Sequence, residues 1–386
     1  MTAVQPFTIH VSDEVLADLR ERLARTRWPG ELPGTAWDYG SNLTYVKELV
    51  DYWRTQFDWR IQEAALNRFA HFRATLDGMG IHFIHERGKG PNPLPLIITH
   101  GWPSTIFEMS KIIPLLTDPA SHGGDPADAF DVVAPSMPGY GFSDHTTKRG
   151  INIARIADLW AQLMTDVLGC RCYGAQGGDW GAGVTARLGF AYPGQVIGIH
   201  TTSVSGAPTG WQAGMRELSV AERTLLEARA HWQLEEGGYA HIQGTKPQTL
   251  AYGLNDSPVG LAAWIVEKWR TWSDCDGEVE RHFTKDELLT TITIYWVTQT
   301  INSSTRLYYE NQHNPWILQP GQRIAVPCAV ARFPHEISQP PREWAERFYN
   351  LKQWTVMPRG GHFAAFEEPE LLAQDIRAFF RPLRGQ

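Results

Sequence analysis

Gly177-Gly178-Asp179-Trp180-Gly181 is the stretch on which the fold turns. It lies between residues 170–175, which read as a buried strand, and residues 180–191, which read as a helix. Glycines two positions before and two after a polar residue suit a sharp, strained strand-to-helix turn that lifts that residue above the end of a sheet. The residue so lifted is Asp179. An aspartate ahead of a helix is also an ordinary N-cap, so the motif takes its force from the elements around it.

Working outward on the amino-terminal side, residues 72–76 and 81–85 read as strands around Gly78-Met79-Gly80. Residues 94–99 form a continuously apolar run that ends in His100-Gly101-Trp102-Pro103, and a helix is expected over 106–116. Residues 130–134 read as a further strand, and 153–168 as a helix with Ile153, Ile156, Leu159, Trp160, Leu163 and Val167 on one side. After the elbow helix comes a strand at 196–201. Apolar runs of this kind suit strands covered on both faces. Their alternation with helices predicts a parallel sheet with crossover helices.

From 203 to 320 the alternation stops. That segment reads as helical, most clearly over 264–272 and 285–309. Alternation resumes with 324–332, 344–349 and 354–357, and closes on a helix over 369–380. Residues 1–72 read as three helices. Ser12 caps the first, with Asp13 and Glu14 in its opening turn, and the others are expected at 44–57 and 60–69. The expected architecture is therefore α/β with a mostly parallel central sheet. It has an N-terminal helical extension (1–72), a core in two parts (73–202 and 321–386) and a helical lid (203–320).

Composition narrows the function. Of 386 residues, 42% are hydrophobic and 20% charged, as in soluble globular proteins. A net charge of −7 with no long basic run argues against nucleic acid as a partner. No stretch approaches the roughly 20 apolar residues of a membrane span, and the first ten residues lack a secretory pattern. A soluble, cytoplasmic protein without a membrane anchor is expected, and a homodimer is left open. Cys170 and Cys172, two of four cysteines, alternate in the expected strand and read as buried small hydrophobes, not as a disulfide or metal framework. Sixteen tryptophans are enough for some to line an aromatic pocket, and the lid carries Trp211, Trp232, Trp264, Trp269 and Trp272.

A nucleophilic carboxylate attacks a saturated carbon and leaves an alkyl ester. Water must then cleave that ester at its carbonyl, which calls for a base and an oxyanion hole. The base expected is His362, in Arg359-Gly360-Gly361-His362-Phe363 after the last strand. The acid that orients it is expected to be Glu336, just beyond the strand ending at Arg332; Glu367, Glu368 and Glu370 read as acids at a helix start. The order Asp, Glu, His along the chain is that of the α/β-hydrolase fold. The oxyanion donors expected are the backbone N–H groups of Trp180 and Trp102.

These residues resemble the microsomal-type epoxide hydrolases. The resemblance covers nearly the whole chain and rests on His100-Gly101-Trp102-Pro103, Gly177-Gly178-Asp179-Trp180-Gly181, residues 254–261 and residues 359–367. It implies a soluble, bacterial-like member of that family, converting an epoxide to a vicinal diol through a covalent ester on Asp179; the aromatic-rich lid points to a hydrophobic, aryl-substituted epoxide. It implies no metal or organic cofactor, and a small epoxide and water as the partners. It also implies two acids, Tyr239 in Gly238-Tyr239-Ala240-His241-Ile242-Gln243 and Tyr308 in the segment 303–311, with the neighbouring Tyr309 as the alternative. Trp102, Pro103 and Trp180 are expected to border the substrate. Two other readings share the scaffold: a haloalkane-type dehalogenase with the same Asp/His pair, and a non-catalytic small-molecule receptor.

Overall fold

The strands follow from the apolar runs and from the turns that bound them. The computed structural model describes residues 4–208 and 210–385. Among the described residues nine strands form one sheet: β1 (Gln5–Pro6), β2 (His71–Leu76), β3 (Met79–Glu86), β4 (Leu94–Thr99), β5 (Phe130–Pro135), β6 (Tyr173–Gly177), β7 (Val196–Thr201), β8 (Ile324–Arg332) and β9 (Tyr349–Val356). Their spatial order is β1-β2-β3-β5-β4-β6-β7-β8-β9. The pairs from β1 to β5 along the first edge are antiparallel, and all pairs from β5 to β9 are parallel. Leu96, Ile97 and Ile98 of β4 and Tyr173 and Ala175 of β6 are buried, because helices cover both faces. Strand order reverses at β4, between β5 and β6. In an open α/β sheet the crevice beyond the carboxyl ends of the strands at such a point is where ligands bind.

The helix Asp179–Ala191 leaves the end of β6 and lies close to the sheet because its first turn is small. A Cβ on Gly181 would overlap the Thr99 carbonyl of β4, and one on Gly177 would overlap the Gly181 carbonyl. Those two glycines permit the close approach that the elbow needs.

Between β7 and β8 the chain is helical: Val220–Glu235, Gly238–Thr245, Pro247–Asp256, Pro258–Trp272, Lys285–Thr298 and Ile301–His313. Capping boxes start two of these, Ser219 with Glu222 and Thr284 with Glu287. The single helix expected over 285–309 is in fact two. Gln299 takes a left-handed conformation (φ 53°), and its N–H closes the first helix on the Tyr295 and Trp296 carbonyls. Glutamine gives no sequence sign of such a cap, which is usually glycine or asparagine.

At the front, Ser12 caps Asp13–Ala24, accepting from the Val15 N–H, and two further helices run over Leu43–Thr55 and Trp59–Leu66. The extension is not purely helical, since β1 pairs with β2. It also holds the helical insertion: Arg22 pairs with Asp256 at 2.7 Å, the Tyr52 hydroxyl donates to Asp286 at 3.0 Å, and Ser41 donates to the Ala263 carbonyl at 2.6 Å.

Three further expectations are corrected. Residues 106–116 form a 3₁₀ turn, Ile106–Ser110, and a short helix, Ile112–Thr117. The helix from Ile153 ends at Gln162 and continues as a π turn over Leu163–Val167. The strand expected at 170 begins at Tyr173, because Gly169 (φ 72°) turns the chain first. Cys170 is therefore half-buried and Cys172 exposed, both as free thiols, and their alternation is that of a turn. No helix among the described residues is long and apolar enough to cross a membrane.

Candidate active site

Asp179 stands at the first position of its helix with φ 49°, a conformation unusual for any residue but glycine and tolerated best by Asp and Asn. It is over-determined from both sides. A Cβ on Gly101 would overlap the Asp179 side chain, so the loop after β4 closes directly on the carboxylate. From that loop the Trp102 N–H donates to Asp179 Oδ1 at 2.7 Å. The loop is itself held, since the Tyr295 hydroxyl donates to the Ser104 carbonyl at 2.8 Å; the Trp102–Pro103 peptide is cis. Burial raises the Asp179 pKa above the ordinary carboxylate value, opposed by the His362 charge and by the backbone N–H groups of Trp102 and Trp180.

The ends of β8 and β9 bring the other two groups. His362 Nδ1 meets Glu336 Oε1 at 2.6 Å, and that oxygen also accepts from the Ile337 N–H at 2.8 Å. His362 Nε2 faces Asp179 Oδ2 at 3.7 Å, beyond hydrogen-bond range. The two carboxylate oxygens of Asp179 therefore face different groups, Oδ1 an amide and Oδ2 the imidazole. Burial lowers the His362 pKa, but the Glu336 charge and hydrogen bond, then the charges of Asp179 and Glu108, outweigh it, and the net shift is upward. Glu367 does a different job. Its two oxygens accept from the backbone N–H groups of Phe363 (2.9 Å) and Asp274 (2.8 Å) and so brace the histidine loop.

A cavity of about 380 Å³ opens beside these groups, lined among others by Asp179, Trp180, Trp232, Tyr239, Tyr308 and His362. Tyr239 and Tyr308 come from the adjacent helices Gly238–Thr245 and Ile301–His313, and their rings meet edge-on with centroids 5.8 Å apart. Tyr308 also packs on Trp180 at 4.7 Å, and Tyr239 stacks on Trp102 at 5.3 Å. Burial raises both phenol pKa values, so both hydroxyls stay protonated at neutral pH. Tyr309 turns away and stacks on His313 at 3.9 Å. Of the two neighbours, Tyr308 is the one brought to Asp179.

The remaining expected contacts separate. Trp232 lines the cavity, and Trp272 packs behind it on Tyr239 (5.2 Å) and His362 (5.0 Å). Trp269 belongs to the core, stacked on Phe363 at 4.1 Å, while Trp264 donates to Gln243 and Trp211 is largely exposed. Pro103 is buried and is not among the residues that line the cavity. Glu108 was not anticipated; the signal available was a glutamate inside the apolar run Ile106-Phe107-Glu108-Met109, where an acid is rarely buried. Among the described residues no group of three or more His, Cys, Asp or Glu is placed to hold a metal ion.

Two family models match the chain: "Epoxide hydrolase N terminus" over residues 4–109 and "Alpha/beta hydrolase family" over residues 96–375. Epoxide hydrolase 1 of Sus scrofa is 40% identical over 100% of this chain and 90% of its own length. The chain belongs to the epoxide hydrolase family. Juvenile hormone epoxide hydrolase 2 of Ctenocephalides felis is likewise 40% identical, over 97% of this chain and 85% of its own. Among solved structures, the juvenile hormone epoxide hydrolase of the silkworm Bombyx mori superposes with a TM-score of 0.84 at 32% identity, covering 100% of this chain and 95% of that one. The Aspergillus niger epoxide hydrolase gives 0.85 at 27% identity, covering 99% and 97%. As a member of this family the protein is an enzyme that hydrolyses epoxides, which sets aside the dehalogenase and receptor readings.

Proposed function

We propose that Asp179 opens the epoxide ring through its Oδ2 oxygen and that the resulting ester is hydrolysed by water deprotonated at His362. The observation that carries the reading is the divided environment of the Asp179 carboxylate. Oδ1 is held by the Trp102 amide at 2.7 Å, while Oδ2 faces His362 Nε2 at 3.7 Å, on a carboxylate that lines a cavity shared with two protonated phenols.

The steps follow from those groups. Oδ2 forms a bond to one ring carbon as that carbon's bond to the epoxide oxygen breaks. The released alkoxide takes its proton or a strong hydrogen bond from Tyr239 and Tyr308, whose protonated state at neutral pH suits them to the task. Alkylation removes the Asp179 charge, and with it one of the interactions that hold the proton on His362. The imidazole becomes a better base when the ester is waiting for water. Glu336 keeps Nδ1 protonated, so Nε2 is the nitrogen that accepts the proton. The charge on Oδ1 in the tetrahedral intermediate falls on the Trp102 and Trp180 amides. Collapse releases a vicinal diol, and the water's second proton, left on the Asp179 carboxyl, replaces the one given by the phenols, which restores both groups.

The substrate class we assign is a hydrophobic epoxide, aryl-bearing or of similar shape, because Trp180, Trp232, Tyr239 and Tyr308 surround the nucleophile. In the same reading residues 1–72 are an extension, 203–320 the lid and 73–202 with 321–386 the catalytic core.

Two phenols facing one oxygen share its charge, so each is expected to compensate for the other. Tyr239→Phe and Tyr308→Phe singly should slow ester formation about 10-fold, and the double variant by at least about 100-fold, within the range of general acid catalysis. Single-turnover rates of ester formation check this. A double variant no slower than either single variant would exclude the shared role.

The covalent step itself is tested by one turnover in heavy-oxygen water with enzyme in excess over styrene oxide. The label should enter the Asp179 carboxylate, located by peptide mass, and not the first diol formed. Label in that diol, with none in Asp179, would mean direct attack of water on the ring.

A further inference from the structure

Asp179 and His362 border a second and far smaller space, and they are the two residues that line both. It measures about 10 Å³, and its other walls include His100, Trp102, Ser104, Glu108 and Phe363. A volume of roughly 10–15 Å³ is what one water needs, provided two to four polar partners face it.

The polar groups around this chamber are not equivalent. His100 is committed: Nε2 accepts from the Met137 N–H at 3.2 Å, which leaves Nδ1 to donate to the Gly101 carbonyl at 3.0 Å. Glu367, nearby, is committed to the Phe363 and Asp274 amides. Among the described residues Glu108 has no such backbone partners. It is 8% exposed and rides on the turn Ile106–Ser110, which is capped by Thr105 and anchored by the buried Ile106 and Met109. Its carboxyl interacts with the Ser104 hydroxyl and with the charges of His362, Asp179 and Glu367. Burial lifts its pKa to about 7, against the lowering effects of Ser104 and His362. Burying a carboxyl with a single hydroxyl partner is costly, and nothing in the steps above employs it.

We propose that Glu108 holds the water that hydrolyses the Asp179 ester, seated in this chamber between its carboxylate, His362 Nε2 and the Asp179 carbonyl carbon. The inference rests on the ester reading of the preceding section. The water oxygen forms a bond to the ester carbon while one of its protons passes to His362 Nε2. Its other hydrogen is held by the Glu108 carboxylate, and the carbonyl electron pair moves to Oδ1 at the amides. Collapse expels the alkoxide of the diol, which takes the proton back from His362. Glu108 is unchanged at the end. Substrate and water thus approach Asp179 through different spaces, the epoxide through the large cavity and the water through the small one.

The test separates the two half-reactions in Glu108→Gln, which keeps the size of the side chain and removes its charge. With styrene oxide, the ester should form at the wild-type rate. Its hydrolysis should slow about 10- to 100-fold, the size expected for one hydrogen bond to a charged group. Intact-protein mass should show the ester accumulating, and kcat and KM should fall together. Glu108→Asp, which keeps the charge but withdraws it by one methylene, should lie between, and it gives the same readings should Glu108→Gln not fold. Equal slowing of both half-reactions, or unaltered ester hydrolysis, would overturn the proposal. His362→Gln run in parallel distinguishes the causes. An adduct there but none in the Glu108 variants overturns the water site alone; an adduct in neither overturns the ester reading and the water site with it.

Discussion

Asp179→Asn is expected to lower diol formation at least about 10⁴-fold, the scale on which loss of a nucleophile acts in enzymes whose groups work as a unit. The substitution is chosen for its backbone. Asp179 has φ 49°, and asparagine is the residue that tolerates this region next best, whereas alanine there would add strain of about 1–2 kcal/mol. The shape of the side chain is kept, and one oxygen can still accept from the Trp102 N–H. What is lost is the negative charge and the nucleophilic oxygen. Burial already opposes that charge, so the variant should melt no lower than the wild type. A second consequence has a defined sign. The Asp179 charge is one of those that raise the His362 pKa, so the pKa of that imidazole should fall in Asp179→Asn. Diol assay, thermal melting and imidazole titration by NMR read the three effects. Residual activity above a tenth of wild type in a sample shown by mass to be free of deamidation would remove Asp179 from the chemistry.

What the sequence disclosed depended on how local each constraint is. The elbow was legible because a glycine at 177 answers a contact only four residues away, with Gly181, and because β4 is a continuous apolar run covered on both faces. Asp179, Glu336 and His362 follow strand ends in a fixed order, so counting strands reached them. Tyr239 and Tyr308 carry no local mark; they lie on amphipathic helices among other aromatic residues, and resemblance alone picked them out. The break at Gln299 was illegible, since a left-handed glutamine cap is set by how the helices pack and not by propensity. β1 was missed because two residues carry no periodicity, and the Cys-x-Cys alternation misled because a turn at Gly169 can mimic a strand. Glu108 carries no mark beyond being an acid in an apolar run. Its meaning appears only when the loop after β4 is folded against His362.

His362→Gln should stop the cycle at its midpoint. Ring opening draws on the Asp179 carboxylate and the two phenols, none of which the substitution removes, so ester formation should continue. Ester hydrolysis loses its base, and a fall in kcat of about 10²- to 10⁴-fold is expected from general base catalysis. The protein should therefore accumulate a species heavier by the whole mass of the epoxide, mapped to the peptide carrying Asp179. Two alternatives are excluded by the same spectrum. If His362 acted directly on water attacking the ring, no adduct would form, and the variant would only be slow. If it were needed to keep Asp179 ionised, ester formation would fail as well. The His362 charge does lower the Asp179 pKa, so its removal raises that value further. Ester formation in the variant should then weaken as pH falls, and recover fully at higher pH where the carboxyl is ionised again. Hydrolysis should not recover at any pH, because raising it cannot supply the missing imidazole. That difference between the two half-reactions separates the electrostatic contribution of His362 from its role as the base.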